Sequence, residues 1–259
     1  MSRDMWSAVQ YSRYSDQRNR AFFELMGRVK AAAPATVVDL GCGPGNLTAA
    51  LAARWPAALL RGVDSSSDML ASSAGHAIPG RVEFELGTIQ AWRPHRPVDV
   101  ILSNAALQWV PGHRALFADL LDSVQPGGWF AFQVPGNFDA PSHVLLREVC
   151  QQPAWREKVG TAALRDPVAD PADYLRDLQA LGCEVDVWET TYLHVLEGED
   201  PVLEWVRGSA LRPVLAALDP ELQPALLDEY RARLREAYPR RAEGTVLPFR
   251  RIFVVARKR

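Results

Sequence analysis

The chain has 259 residues, 48% of them apolar, and a formal net charge of −2 at pH 7. This length and composition can supply the core of one large α/β domain, or of a domain with a substantial insertion. The near-neutral charge argues against nucleic acid as a partner, because nucleic-acid-binding domains are normally strongly basic. No apolar run reaches the roughly 18 residues of a membrane span, so we expect no membrane partner either.

The amino terminus and the cysteines favour a soluble cytoplasmic protein. The first 20 residues contain no apolar stretch like that of a secretory signal. The three cysteines, Cys42, Cys150 and Cys183, are scattered and odd in number. They predict neither a disulfide framework nor a zinc site, and we expect no bound metal. The sequence favours no particular oligomeric state.

Strands and helices alternate along the first half of the chain. Apolar and β-branched runs predict strands at residues 36–40, 59–64, 81–86, 98–105 and 129–134. Helical spacing and N-cap residues predict helices at residues 47–55, 65–74 and 113–124, and QPGG at 125–128 is typical of a turn. This alternation implies right-handed crossovers and a mostly parallel sheet.

The second half of the chain is less regular. A loop is predicted at residues 135–143, and the proline-containing stretch 151–171 is irregular or only briefly helical. Two further strands bring the predicted total to seven, at residues 184–195 and 249–258. Amphipathic patterns predict helices at residues 172–182, 201–218 and 220–239.

A glycine-rich loop, DLGCGPGN from Asp39 to Asn46, follows the first predicted strand. Its glycines are spaced G-x-G-x-G, and Asn46 stands where the dinucleotide fingerprint has its third glycine. No Lys-Ser/Thr pair follows, so it is not a Walker loop. Ligands of open parallel sheets bind beyond the carboxyl ends of the strands, which makes this loop the leading candidate site.

Two acidic residues near the loop narrow the choice of ligand. Asp39 directly precedes it and would repel a pyrophosphate but suit an ammonium group. Asp64 ends the second strand, about 20 residues downstream, where a carboxylate can accept hydrogen bonds from a ribose diol. An ammonium group and a ribose without phosphate point to S-adenosyl-L-methionine (SAM).

The segment VVDLGCGPGNLT resembles the first motif of the class I SAM-dependent methyltransferases. The resemblance implies an α/β, Rossmann-like fold, a seven-stranded and mostly parallel sheet with a helical substrate cap. We place the cap at residues 136–182 and 198–245 of a single domain, 1–259. SAM is the implied cofactor and S-adenosyl-L-homocysteine (SAH) the product. The residues expected to bind the cofactor are Tyr14, Asp39, Gly41, Cys42, Gly43, Asn46, Asp64, Ser65, Met69, Thr88, Ile89 and Asn104.

Later segments resemble one family within this class, the trans-aconitate 2-methyltransferases. They include SNAALQWVPGH, VPGNFDAPSH and EWVRGSALRPVL, and the similarity runs from Trp6 to Ala256. It implies transfer of a methyl group to a carboxylate oxygen, giving the monomethyl ester of trans-aconitate or a close polycarboxylate. One departure is Thr88, which stands where that family usually has an acid that meets the adenine amino group. We expect weaker adenine recognition, or support from the backbone of Ile89.

The implied chemistry needs positioning rather than a general base. A carboxylate is already an anion at pH 7, so alignment of oxygen, methyl carbon and sulfur is the main requirement. Asn104 and Gln108, at and after the end of the fourth strand, are the positioning residues that we expect. Cys42 could be a nucleophile, but a small residue that fits the loop is the favoured interpretation.

A polycarboxylate substrate calls for arginine, whose fork can bind two carboxylate oxygens. Arg20 and Arg251 are further candidates, but adjacent strand residues point to opposite faces, so at most one of Arg250 and Arg251 faces a site. The substrate residues that we predict are Arg18, Gln108, Trp109, Asn137, His143, Tyr192, Arg212 and Arg250.

Three alternatives remain open to the sequence. A related carboxyl methyltransferase could act on an acyl-carrier protein or another small acid, with a basic surface recruited from Arg231, Arg233, Arg235, Arg240 and Arg241. The chain could instead bind SAM without turnover. A nicotinamide dehydrogenase is disfavoured, because Asp39 and Asn46 depart from the dinucleotide fingerprint.

Overall fold

The computed structural model describes residues 15–164 and 166–259 of the chain. Tyr14 and the side chain of Arg18, both predicted site residues, lie outside the part that is described. The strands are β1 (Thr36–Leu40), β2 (Leu59–Asp64), β3 (Val82–Leu86), β4 (Val98–Asn104), β5 (Val124–Pro135), β6 (Cys183–Leu196) and β7 (Thr245–Lys258). The helices are α1 (Ser15–Arg28), α2 (Asn46–Arg54), α3 (Ser67–Ser73), α4 (Phe117–Asp122), α5 (Pro141–Gln151), α6 (Arg156–Val159), α7 (Pro171–Ala180), α8 (Pro201–Arg207), α9 (Arg212–Ala217) and α10 (Gln223–Ala237).

The seven strands form one sheet in the order β3-β2-β1-β4-β5-β7-β6. Neighbouring strands from β3 to β5 pair in parallel, and β7 pairs with β5 in the antiparallel sense. The predicted α/β, Rossmann-like and mostly parallel seven-stranded sheet is therefore confirmed. The strand order reverses between β1 and β4, and this switch point is where an open α/β sheet binds its ligand.

Apolar strands and one aromatic cluster form the core around the sheet. The central strands β1 and β4 are buried along nearly their whole length, as expected for parallel strands covered on both faces. Phe117 from α4 packs against Phe132 and Tyr174, with ring centroids 5.4 and 6.0 Å away. This core fixes the carboxyl ends of β1 and β4, and with them the candidate site.

The predicted turn at residues 125–128 is wrong, because these residues are part of β5. Pairing between β4 and β5 passes from Val98 and Val124 directly to Val100 and Trp129. Two residues along β4 therefore correspond to five along β5, and the extra residues bulge out of the ladder without ending the strand. The glycines of QPGG serve this bulge, which explains why a turn-like sequence lies inside a strand.

The chain divides into two compact units. The first comprises residues up to Pro135 together with Val168–Thr190 and Arg251–Arg259, and the second comprises Gly136–Pro167 and Thr191–Arg250. Helix α7 lies within the range expected for the cap but belongs to the first unit. There the Tyr174 hydroxyl lies 2.8 Å from Nε2 of His113.

The second unit has its own buried core, with helices α5 and α10 linked by hydrogen bonds. The hydroxyl of Tyr230 donates to the carbonyl of Ser142 at 2.6 Å, and the backbone N–H of Ser142 donates to the hydroxyl of Tyr238 at 3.1 Å. Trp205 from α8 is fully buried in the same unit. The outer face of α10 instead carries charged residues, as its sequence suggests.

No helix among the described residues is both long and apolar enough to cross a membrane. The described side chains also bring together no group of three or more potential metal ligands. The cytoplasmic location and the lack of a nucleic-acid partner stay predictions from composition.

Candidate active site

All three glycines of the loop adopt left-handed backbone conformations. The φ angles are 81° at Gly41, 56° at Gly43 and 80° at Gly45, a region that residues with a Cβ rarely adopt. A Cβ on Gly41 would lie 2.2 Å from the Cβ of Ala106, and a Cβ on Gly45 would lie 2.6 Å from the ring of Phe84. A Cβ on Gly43 would meet nothing within 4 Å. The outer glycines therefore allow close packing, while Gly43 borders open space that a ligand can enter.

The carboxylate of Asp64 fastens the end of β2 to this loop. Its Oδ2 accepts the backbone N–H of Gly43 at 2.8 Å, and its Oδ1 accepts that of Ser66 at 2.9 Å. Ser66 in turn caps α3, where its hydroxyl accepts the backbone N–H of Met69. The loop thus fixes the orientation of the Asp64 carboxylate, and its contact with ribose hydroxyls stays a prediction.

Asp39 is buried at the end of β1. Only 3% of the residue is exposed, and its Oδ2 accepts the hydroxyl of Thr48 from α2 at 2.6 Å. Burial, opposed by the Thr48 hydrogen bond and assisted by the negative charge of Asp64, raises the pKa of Asp39 to about 6. A buried carboxylate of this kind gains from a cation nearby, which agrees with the predicted ammonium ligand.

Cys42 is a packing residue of the loop. The residue is 7% exposed, and burial raises the pKa of its thiol well above the ordinary value. The thiolate is the nucleophilic form of cysteine, so the thiol of Cys42 is not activated. Its Sγ fills the space beside Gly62, where a Cβ would lie 2.9 Å away. The interpretation of Cys42 as a small residue that fits the loop is the one that this geometry supports.

A strained turn directly follows Asn104 and packs against the glycine loop through Ala106, next to Gly41. Ala105, directly after β4, has a φ of 54° and is the one non-glycine residue with positive φ in the described part of the chain. Its backbone N–H donates to the carbonyl of Gln133 at 2.9 Å, and its carbonyl accepts Nε2 of Gln108 at 2.5 Å. Backbone strain of this kind is concentrated at functional sites. The Gln108 amide thus holds the turn on which Asn104 sits.

Thr88 has a local structural role. Its hydroxyl accepts the backbone N–H of Ala91 at 3.2 Å, and the residue is exposed. The following residue, Ile89, is 8% exposed. The hydroxyl can still accept a second hydrogen bond, so its contact with the adenine amino group stays a prediction.

The predicted substrate residues fall in different parts of the chain. Asn137 lies in the second unit, and its carboxamide both donates to and accepts from the backbone of Arg250, at 2.9 and 2.8 Å. These bonds use one of the two N–H donors of Asn137 and one lone pair of its oxygen, so a contact with a substrate carboxylate would use the remaining N–H. Tyr192 is 3% exposed, and its ring centroid lies 5.9 Å from that of His194. Gln108 and Trp109 lie in the first unit, and the members in the second unit are Asn137, His143, Tyr192, Arg212 and Arg250.

Sequence reasoning missed Gln133 as a residue of this region. It stands in the apolar run WFAFQV, yet it is fully buried and accepts Nη1 of Arg251 at 2.8 Å. The signal was available, because a glutamine inside a buried strand requires hydrogen-bond partners. Of the adjacent arginines on β7, Arg251 is buried and Arg250 is half-buried.

Comparisons with known proteins place the chain in a family. Residues 37–128 match a family model described as a methyltransferase domain. The chain is 51% identical to the trans-aconitate 2-methyltransferase of Streptomyces avermitilis, over 98% of this chain and 97% of that protein. It is 48% identical to the trans-aconitate 2-methyltransferase of Rhodococcus jostii, over 97% of this chain and 99% of that protein. The chain belongs to the trans-aconitate 2-methyltransferase family.

Membership of the trans-aconitate 2-methyltransferase family confirms the prediction of a SAM-dependent methyltransferase that was drawn from the glycine loop. Among solved structures, the YcgJ protein of Bacillus subtilis has a TM-score of 0.61 and 12% sequence identity, covering 93% of this chain and 99% of that chain. At this identity the likeness concerns the fold alone.

Proposed function

We propose that this chain transfers the methyl group of SAM to a carboxylate oxygen of trans-aconitate, or of a close polycarboxylate. A carbon–oxygen bond forms while the carbon–sulfur bond breaks, and the electron pair of the broken bond stays on sulfur. The products are the monomethyl ester and SAH. The observation that carries this proposal is an identity of 51% and 50%, over nearly the full length of the chain, with relatives named trans-aconitate 2-methyltransferase.

The first unit offers the groups that this methyl donor requires. SAM supplies an activated methyl group on a positively charged sulfur. Asp64, the residue proposed to bind the ribose, is hydrogen-bonded to the loop at Gly43, and Gly43 borders open space. The buried charge of Asp39 favours a cationic ligand. Oδ1 of Asn104 is buried and has no hydrogen-bond partner among the described residues, so it is available to a ligand.

The chain contributes alignment and exclusion of water. The carboxyl groups of the acid are already ionised at pH 7, so no side chain has to remove a proton. We propose two residues for positioning: Asn104, which directly precedes the strained Ala105, and Gln108, whose amide donates to the Ala105 carbonyl. Good alignment of reacting groups lowers a barrier by roughly 7–11 kcal/mol, and removal of water makes a carboxylate a better nucleophile.

The acid requires donors that match several carboxylates. We propose Arg212, at the start of α9, and Arg250, both half-buried in the second unit. Arg251 points to the opposite face of β7 from Arg250 and makes no direct contact with the acid in this proposal. Arginine suits this role because its planar fork can bind two oxygens of one carboxylate. Arg18, Trp109, His143 and Tyr192 are the further proposed contacts. A helical cap at residues 136–182 and 198–245 stays part of the proposal.

The alternative of an acyl-carrier protein as substrate is disfavoured by the ion pairs on α10. A carrier protein is acidic and would need a free basic surface. Arg231, Arg233 and Arg235 instead pair with carboxylates of the second unit, which are Glu148, Glu199, Asp200, Asp228 and Glu229. These acids offset the positive charge that a carrier protein would recognise.

The proposal is tested by a transfer assay with methyl-labelled SAM. The acceptors are trans-aconitate, cis-aconitate, isocitrate, citrate and an acyl-carrier protein, each at the same concentration. We expect trans-aconitate to give the highest kcat/KM and a base-labile methyl ester. Equal transfer to the carrier protein, or no transfer to any acid, would contradict the acceptor assignment. SAM binding measured by calorimetry then separates a different acceptor from a chain without turnover.

A further inference from the structure

Three polar side chains from neighbouring strands lie on one face of the sheet, close to the carboxyl ends of β4 and β5. Asn104, the last residue of β4, is the register partner of Gln133 in β5. Arg251 of β7 is the register partner of Pro135, two residues beyond Gln133. Residues two apart on a strand share a face, which places Arg251 diagonally next to Gln133. All three lie in the first unit.

Arg251 determines which way the Gln133 amide points. Nη1 of Arg251 donates to Oε1 of Gln133 at 2.8 Å. The hydrogen-bond partners of a glutamine amide decide which of its ends is the oxygen. A guanidinium has donors and no acceptor, so the oxygen of Gln133 must face Arg251. The NH2 group of Gln133 must therefore point away from Arg251.

The outward NH2 group of Gln133 is buried without an acceptor. The residue is 0% exposed, and its Nε2 has no hydrogen-bond partner among the described residues. An unsatisfied buried donor is costly, and native structures rarely keep one without a reason. Oδ1 of its neighbour Asn104 is also buried without a partner in the described part of the chain. An unsatisfied donor of Gln133 and an unsatisfied acceptor of Asn104 thus lie on neighbouring strands, at the edge of the sheet where ligands bind.

We propose that Gln133 binds a carboxylate in the active site, with Arg251 as the residue that orients it. The N–H of Gln133 donates to a carboxylate oxygen, and the hydrogen bond from the buried Arg251 fixes the direction in which that N–H points. Two carboxylates fit this description, that of the acid substrate and that of the methionine part of SAM. If the carboxylate is that of the acid substrate, this proposal rests on the proposed function.

The test uses Gln133→Glu, which keeps an oxygen for Arg251 and replaces the outward donor with an acceptor. Gln133→Met has a side chain of nearly the same length but lacks both the amide oxygen and the NH2 group. It replaces Gln133→Glu in the test if the glutamate variant does not fold. Gln179→Glu, the same chemical change at an exposed position of α7, is the control. Thermal unfolding identifies variants that fold. Calorimetry measures affinity for SAH, for 5′-methylthioadenosine, which lacks the amino-acid part, and for trans-aconitate with the SAH-loaded chain.

Each carboxylate source predicts a different pattern. If Gln133 binds the methionine carboxylate, Gln133→Glu weakens SAH binding at least tenfold and changes 5′-methylthioadenosine binding less than twofold. If it binds the acid, SAH affinity is unchanged, and trans-aconitate binding weakens at least tenfold with a matching rise in KM and little change in kcat. Arg251→Lys, which keeps a donor and the charge, should retain more affinity than Arg251→Gln.

A folded Gln133→Glu or Gln133→Met variant with both affinities equal to those of Gln179→Glu would overturn the proposal. If the unmodified chain does not bind trans-aconitate, the result contradicts the proposed function instead. In that case the SAH measurement alone decides, and an unchanged SAH affinity overturns the role of Gln133.

Discussion

Asp39 and Thr48 form a buried hydrogen bond of 2.6 Å that joins the end of β1 to helix α2 across the base of the glycine loop. The bond satisfies a carboxylate that is 3% exposed, but it does not fully offset the loss of hydration. The pKa of Asp39 is accordingly raised to about 6. The loop is therefore built over a negative charge that costs stability until a cationic ligand binds.

The first prediction concerns Asp39→Asn and the pH dependence of stability. Because the folded chain holds the Asp39 proton up to about pH 6 and the unfolded chain only up to about 3.8, the folded state binds more protons between these values. The Asp39 carboxyl therefore lowers the free energy of unfolding as the pH rises from 4 to 6, and it causes no further decrease above about pH 7. In Asp39→Asn this decrease should be absent.

Urea unfolding of the SAM-free chain at pH 4 and pH 8 measures the effect. When the pH is raised from 4 to 8, the free energy of unfolding of Asp39→Asn should rise relative to that of the wild type by up to about 3 kcal/mol. Each unit of pKa difference corresponds to about 1.4 kcal/mol. Asp122→Asn, at an exposed position, should show no such gain. The same Asp39 variant should bind SAM more weakly. Equal pH dependence of variant and wild type would contradict the burial of this charge.

The sequence predicted the loop and the sheet because both depend on local patterns. The glycines of DLGCGPGN and the apolar strand before them suffice to place a ligand loop at the end of β1. The role of Gln133 could not be predicted in this way, because it depends on the register of β5 and β7. Alternation shows that Arg250 and Arg251 point to opposite faces of β7, but not which of them is buried; we predict Arg250 from the sequence, and the structure buries Arg251. The pairing of Asn137 with the Arg250 backbone is equally non-local.

The second prediction concerns Asp64→Ala. Removal of the carboxylate leaves the N–H groups of Gly43 and Ser66 without their acceptor and removes the group proposed to bind ribose. SAM binding should weaken by about 1–3 kcal/mol, the usual cost of losing a buried hydrogen-bond partner. Calorimetry with SAM measures the change, with the exposed Glu83→Ala as control. An unchanged affinity would mean that the ribose is bound elsewhere.

The third prediction concerns Tyr174→Phe, a change away from the ligand loop. Burial lowers the pKa of His113 and raises that of Tyr174, which favours the neutral form of both side chains. Without the hydroxyl, Nε2 of His113 loses the hydrogen-bond partner that lies 2.8 Å away. The free energy of unfolding should fall by about 1–3 kcal/mol, while SAM affinity should change less than twofold. A loss of affinity without a loss of stability would assign α7 a direct role in binding.

The last prediction contrasts two glycines of the same loop. Gly41→Ala puts a Cβ 2.2 Å from that of Ala106, whereas Gly43→Ala meets nothing within 4 Å. Both require a left-handed alanine, which costs roughly 1–2 kcal/mol, but Gly41→Ala must also push the Ala105 turn away from the loop. Gly41→Ala should therefore lower the melting temperature much more than Gly43→Ala.

Gly43→Ala should fold and bind SAM at least tenfold more weakly, because its methyl group enters the space that we assign to the ligand. Calorimetry and thermal unfolding of the two variants separate these effects. Wild-type affinity in a folded Gly43→Ala variant would show that the ligand does not approach the loop at this residue.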